Sequence, residues 1–219
     1  MFKTRIEAGR LLGKKLIDEL TNSQIANFKD SVVVLGIPRG GVVVASQVAR
    51  VLGCSLDVIV VKKLGAPYQS ELAVGAVGET NGSQYLDDRL VKDLQIGKQY
   101  LDEEITRKKA EIKRREQLYR QGKPPLDLKD KLVIIVDDGA ATGATIIAAC
   151  REAWNNLPKK VIIGLPVIAK DTLEKLEEEA DEVIYLDAPW DFYAVGQFYE
   201  DFPQVEDKEV VEILKSKTN

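Results

Sequence analysis

Two adjacent carboxylates, Asp137 and Asp138, end an apolar run over residues 132–136 and stand ahead of a loop with almost no side-chain volume. That loop is Gly139, Ala140, Ala141, Thr142, Gly143, Ala144 and Thr145. A short, charge-free, β-branched run predicts a strand buried on both faces, and the apolar spacing over residues 146–154 predicts a helix. Strand, acids, small-residue loop and helix together aim backbone N–H groups and the positive end of a helix at one spot. Such a spot binds anions, phosphate above all. Two carboxylates repel a bare phosphate, so the ligand must also carry donors or a metal. A phosphorylated ribose satisfies both demands: its phosphate enters the loop and its vicinal hydroxyls donate to the acids.

Other chemistries fit these letters less well. A Walker-type loop needs Gly-Lys-Ser/Thr after its four-residue spacer, and no lysine stands there; the GxGxxG spacing of dinucleotide folds is absent as well. A receiver domain places its acid pair after the first strand, and too little chain follows Asp138 to build the remainder. A plain turn between strand and helix has no need of paired acids before a run of glycine and alanine.

A second strand, turn and helix lies upstream. Residues 32–35 predict a buried strand, Gly36, Ile37, Pro38, Arg39, Gly40 and Gly41 a turn, and residues 42–52 an apolar helix. Arginine carries a fixed fork of donors matched to phosphate oxygens, and the flanking glycines let backbone amides join it. A third buried strand is expected over residues 57–61, ending at Lys62 and Lys63, whose plain reading is a pair of solvated strand-end charges.

The rest of the chain must position these pieces. With 219 residues and 45% hydrophobic content, it can bury a sizeable core, and it reads as one domain. The net charge of −4 argues against a global field for nucleic acid or anionic membrane. There is no histidine, which disfavours serine-hydrolase chemistry and most zinc sites. The two cysteines, Cys54 and Cys150, lie in apolar surroundings and read as buried thiols of a cytoplasmic protein. No signal-peptide core or membrane-length apolar run occurs.

Residues 5–20 predict an amphipathic packing helix with Ala8, Leu11, Leu12, Leu16 and Leu20 inward. Asn81 and Gly82 mark a hairpin between residues 73–79 and 83–86. Residues 88–121 predict a long, mostly solvated helix with an apolar stripe of Leu90, Leu94, Leu101, Ile105, Ile112 and Tyr119. Its expected ion pairs are Glu103 with Arg107, Glu104 with Lys108 and Glu111 with Arg115. The basic cluster at residues 107–115 is interleaved with acids and lacks aromatic partners, which favours a solvated face over nucleic acid. Residues 160–167 predict a strand, 171–180 a helix capped by Asp171, 182–186 a last strand and 210–214 a terminal helix. About five short strands alternating with helices imply a Rossmann-like α/β fold, a parallel sheet with helices on both faces. Both anion turns would open at its carboxyl edge. The segment after the last strand is aromatic, with Trp190, Phe192, Tyr193, Phe198, Tyr199 and Phe202.

The string VIIVDDGAATGAT closely resembles the phosphoribosyl pyrophosphate (PRPP) motif of the type I phosphoribosyltransferases. The resemblance implies that fold for residues 1–219, with a helical insertion at 88–122 and a base-binding hood at 187–205. It implies that residues 139–145 hold the 5-phosphate, that Asp137 and Asp138 hold the ribose hydroxyls, and that Pro38, Arg39, Gly40 and Gly41, with Lys62 and Lys63, hold pyrophosphate. Trp190, Phe192 and Tyr193 become candidates for stacking on a base, and Glu71 a candidate carboxylate on a mobile lid, although an ordinary surface glutamate is its plain reading. The implied reaction transfers phosphoribosyl to a nitrogenous base, with Mg²⁺ carried by PRPP, in nucleotide metabolism; a homodimer is the family's habit. Ala141 stands where enzymes acting on 6-oxopurines usually carry aspartate, which argues against those acceptors. PRGG, KLGAP and FYAVGQ-like stretches are similar to an uncharacterised subgroup. The alternative on the same fold is a PRPP- or nucleotide-sensing regulator that touches nucleic acid through the basic helix.

Overall fold

The computed structural model describes residues 1–21 and 28–216. Helix α1 (Arg5–Thr21) and the short α2 (Phe28–Ser31) precede strand β1 (Val32–Gly36), helix α3 (Gly40–Leu52) and strand β2 (Ser55–Val58). Strands β3 (Lys62–Ala66), β4 (Gln69–Val77) and β5 (Tyr85–Leu86) follow, then helices α4 (Asp88–Asp93) and α5 (Lys98–Arg120). The chain continues through β6 (Leu132–Val136), α6 (Ala144–Trp154), β7 (Lys160–Val167), α7 (Leu173–Glu177), β8 (Glu182–Asp187) and α8 (Asp207–Ser216).

The main sheet has five strands in the order β2-β1-β6-β7-β8, every neighbouring pair parallel. Alternate residues of these strands feed opposite faces. Val32, Val34, Leu132, Ile134 and Ile162 pack under α1 and α3 with Leu12, Leu16, Val44 and Val48. Val33, Leu35, Val133, Ile135 and Ile163 pack under α6 and α7 with Ile146, Ile147, Ala149 and Leu176. Burial on both faces is why β1 and β6 read as unbroken apolar runs. The chain winds outward from β1 through α3 to β2 and later returns on the other side of β1 as β6, so the winding reverses between β1 and β6. Open α/β sheets bind ligands beyond the strand ends at such a point.

A second sheet, β3-β4-β5, is three-stranded and antiparallel, and the sequence predicts only its β4–β5 hairpin. Gly82 sits at φ 89° in that hairpin's loop, as the Asn81-Gly82 signal predicts. The strand expected to run to Val61 stops at Val58, and Lys62 and Lys63 open β3 of the second sheet instead of closing a strand of the first. Between this sheet and α5 lies a third apolar cluster, with Leu64, Val74 and Val77 meeting Leu101, Ile112 and Tyr119 of α5 and Val210 and Val211 of α8. The expected helix over residues 88–121 is divided into α4 and α5 at Gln95, which adopts φ 51°.

Several expectations fail for tertiary reasons. Leu11 and Leu94 are both 43% exposed, outside the stripes assigned to them. Arg107 bonds Glu104 and approaches Glu111 rather than Glu103, and Arg115 turns to Asp207 of α8. A 3₁₀ turn, Lys170–Thr172, leads into α7, which ends at Glu177, and Asp171 caps neither. Among the described residues no helix is long and apolar enough to cross a membrane.

Candidate phosphoribosyl site

The two anion turns leave adjacent strands side by side. Gly36 is in register with Val136, and the Ile37 N–H donates to the Val136 carbonyl at 2.9 Å. A Cβ on Gly41 would lie 2.6 Å from Asp137 Oδ1, and one on Gly40 would lie 2.0 Å from Asp138 Oδ2. Glycine is required at both positions by this close approach, so the Arg39 turn rests directly on the paired acids.

The loop after the acids is held from its far side. The Ala140 N–H donates to the Val167 carbonyl at 3.0 Å, the Ala169 N–H donates to the Ala140 carbonyl at 2.8 Å, and the Thr172 hydroxyl donates to the Ala141 carbonyl at 2.5 Å. Gly143 turns the chain at φ 74° into the first residue of α6. A side chain there would meet Thr172 and Leu176 as well as the backbone strain of that conformation. With its carbonyls engaged by the β7 exit, the loop keeps its donors for another partner: among the described residues, no acceptor meets the N–H of Ala141, Thr142 or Gly143. These groups and the N-terminus of α6 make an anion cradle.

The acids are not equivalent. Asp138 Oδ2 accepts from Arg5 Nε at 2.7 Å, and the Asp138 carbonyl accepts from the Tyr199 hydroxyl at 2.6 Å. Asp137 Oδ1 accepts from the Asp138 N–H at 2.8 Å. Burial, and then the charge of Asp138, push the Asp137 carboxyl well above the ordinary aspartate range, and the charge of Lys63 opposes them only weakly. Burial likewise drives the Tyr199 phenol up, with Asp138 adding to it, so this hydroxyl stays a donor. Reading α1 as a packing helix alone is therefore incomplete. Arg5, on its first turn, reaches the acids, and only the folded chain shows it.

The cations divide between two places. Lys62 and Lys63 alternate along β3 and so face opposite ways. Lys63 is exposed and acts on Asp137, whereas Lys62 Nζ lies 3.6 Å from Glu111 of α5. Burial and the neighbouring Arg115 lower the Lys62 pKa despite Glu111. Arg39 Nη1 lies 3.9 Å from Asp207 Oδ1, at the start of α8, and Asp207 also accepts from the Tyr119 hydroxyl at 2.7 Å and from Arg115 at 3.3 Å. Pro38 and Arg39 are half-buried at the rim.

Among the three aromatic residues expected to stack on a base, Trp190 is 81% exposed and Tyr193 88% exposed, while Phe192 packs on Phe198 at 4.8 Å between ring centroids. Two other aromatic residues of that segment reach the acids or their partner: Tyr199, through its hydroxyl on the Asp138 carbonyl, and Phe202, whose ring centroid lies 3.6 Å from the Arg5 guanidinium carbon. Val195 also reaches the small-residue loop, since a Cβ on Gly139 would lie 2.7 Å from Val195 Cγ1. The segment after β8 thus roofs the site. The side chain of Glu71 lies outside the described residues.

Known proteins carry the same chain design. A Mycobacterium tuberculosis H37Rv protein provisionally named a phosphoribosyl transferase is 41% identical over 214 residues, which are 98% of this chain but 46% of that protein. The chain thus spans about half the length of the curated relatives it matches. The crystal structure of TT1426 from Thermus thermophilus superposes with a TM-score of 0.80 at 39% identity, over 100% of both chains. The structure of AQ2163 from Aquifex aeolicus shares the fold at 16% identity, with a TM-score of 0.51 over 84% of this chain and 74% of that one. The phosphoribosyl transferase domain profile matches residues 5–202, including both α1 and the 88–122 segment. With its acid pair and small-residue loop inside that match, the chain belongs to the phosphoribosyl transferase domain family.

Proposed function

We propose that the chain transfers the 5-phosphoribosyl group of PRPP to a nitrogen nucleophile, a base or similar acceptor, with release of pyrophosphate. The observation that carries this reading is the direct contact of the Gly40 and Gly41 turn with Asp138 and Asp137. This edge of the sheet then offers donors for a phosphate at the α6 end, carboxylates in the middle and an arginine turn at the other end, the order of groups along PRPP. The 5-phosphate of the ligand takes the Ala141 to Gly143 amides. The ribose hydroxyls take the acids. The diphosphate takes Arg39 and the N-terminus of α3, with Lys63 at its flank.

Departure of pyrophosphate leaves positive charge on the sugar, and such a reaction needs placement and charge balance rather than a protein nucleophile. A histidine-free site suits it. Asp138, and Asp137 once it is ionised, favour positive charge at the reacting carbon, while Arg39 and Lys63 favour negative charge on the leaving group. Mg²⁺ would arrive with the substrate, bound to the oxygens of PRPP. The roof formed by the segment after β8 supports acceptor binding over the loop. The basic face of α5 gives the nucleic-acid alternative little support, because Arg107 and Lys108 pair with Glu104 and Glu111, Lys109 bonds Asn81, and Arg115 bonds Asp207. A cytoplasmic setting is in keeping with the buried thiols Cys54 and Cys150.

Incubating the chain with Mg²⁺, PRPP and a panel of purine, pyrimidine and other nitrogen bases, and reading pyrophosphate release, tests the proposal. Base-dependent release is expected. PRPP binding with no release for any base would make the chain a sensor of PRPP instead.

A further inference from the structure

Arg5 is out of place by local rules and in place by tertiary ones. It is the first residue of α1, where the helix dipole disfavours a cation, and its residue is only 8% exposed. Three contacts outweigh that cost: Nε donates to Asp138 Oδ2 at 2.7 Å, Nη1 donates to the Pro203 carbonyl at 2.7 Å, and the guanidinium lies over the Phe202 ring. The same stretch is tied to the N-terminus by backbone. The Phe2 N–H donates to the Phe198 carbonyl at 2.7 Å, the Glu200 N–H to the Phe2 carbonyl at 2.8 Å and the Asp201 N–H to the Lys3 carbonyl at 3.0 Å. Tyr199, inside that stretch, holds the Asp138 carbonyl. Asp138 is thus gripped at its side chain by α1 and at its peptide by the roof, and Gly40 leaves no room for the pair to shift toward the Arg39 turn.

We propose that Arg5 is a positioning residue: by taking Oδ2 it fixes the Asp138 carboxylate so that Oδ1 meets a ribose hydroxyl, and it couples the roof segment to the sugar-binding acid. This rests on the reading of the pocket as a phosphoribosyl site. A guanidinium held by two hydrogen bonds and a ring face has one orientation, whereas a lysine ammonium would supply charge without that geometry. The predicted consequence is selective. Recognition of the sugar hydroxyls depends on Arg5, and recognition of pyrophosphate does not.

The test is calorimetric titration of the wild type, Arg5→Met, Arg5→Lys and Tyr199→Phe with ribose 5-phosphate, its 2-deoxy and 3-deoxy analogues, and pyrophosphate. The wild type is expected to prefer ribose 5-phosphate over both analogues. Arg5→Met should lose about tenfold of at least one preference with pyrophosphate affinity within about twofold of wild type, and Arg5→Lys should fall between. Tyr199→Phe, which keeps the ring, should lower the same preference by less, and it carries the test with Arg5→Lys if Arg5→Met does not fold. Variants that keep the wild-type preference, or weaken every ligand equally, would overturn the positioning role while leaving the pocket assignment intact. A wild type blind to both hydroxyls would overturn the phosphoribosyl reading itself and this inference with it.

Discussion

The adjacent aspartates carry opposite stability consequences. Asp137 is desolvated beside a second carboxylate, and its pKa lies well above the ordinary value of 3.8. A carboxyl whose native pKa exceeds its unfolded one contributes stability at low pH that is lost as pH rises through the native value. Asp137→Asn should therefore gain thermal stability relative to wild type as pH rises from about 5 to about 8, while its PRPP affinity falls at least roughly tenfold. Unfolding curves at the two pH values and calorimetry in Mg²⁺ check both halves. Asp138→Asn should behave differently, because it weakens the partner of a buried guanidinium, and a loss of about 2 kcal/mol is expected in denaturant unfolding. The acid pair and its loop were legible in the sequence because a strand end, two acids and a small-residue loop are contiguous. Arg5 was not, since it lies 133 residues from Asp138 and its local setting argues only for a solvated helix start. The placement of Trp190 and Tyr193 on the surface was equally illegible, because composition marks an aromatic segment without saying which rings turn inward.

At the scale of elements, α8 and α5 act on the arginine turn. Asp207 at the start of α8 is anchored by Tyr119 and Arg115 of α5 and lies 3.9 Å from Arg39, where it competes with any anion for that guanidinium. Arg39→Ala should weaken pyrophosphate roughly tenfold and ribose 5-phosphate far less, whereas Asp207→Asn should tighten pyrophosphate by a few-fold. Equal effects on both ligands would remove the assigned role of Arg39. On the other side of α5, burial and a hydrogen bond with Glu79 raise Glu116 from 4.5 to about 7 against the pull of Arg120. By the same sign argument its stabilising share is whole below pH about 4.5 and gone above about 7. Glu116→Gln should therefore flatten the fall in Tm between those limits, and an unchanged slope would show that Glu116 does not titrate there. Strands β1, β6 and β7 were readable because burial on both faces leaves an unbroken apolar run. The small sheet was not, because β3 begins with two lysines and contains Gly65, so neither alternation nor propensity marks it.

Across the whole molecule, the reversal of winding between β1 and β6 brings two turns that are about a hundred residues apart side by side at one edge of the sheet. The acidic chain, with its net charge of −4, keeps Arg39 and Lys63 near the acid pair, so any attraction for an anionic ligand would be local rather than global. If the phosphate loop, the acids and the arginine turn are one site, PRPP must bridge them, and each half of PRPP must compete for its own share. The decisive measurement is a calorimetric titration of the chain with PRPP in Mg²⁺, repeated in the presence of ribose 5-phosphate and then of pyrophosphate. The account predicts one binding event, weakened by either fragment and tighter than both. Absence of binding, or PRPP binding that neither fragment disturbs, would contradict it.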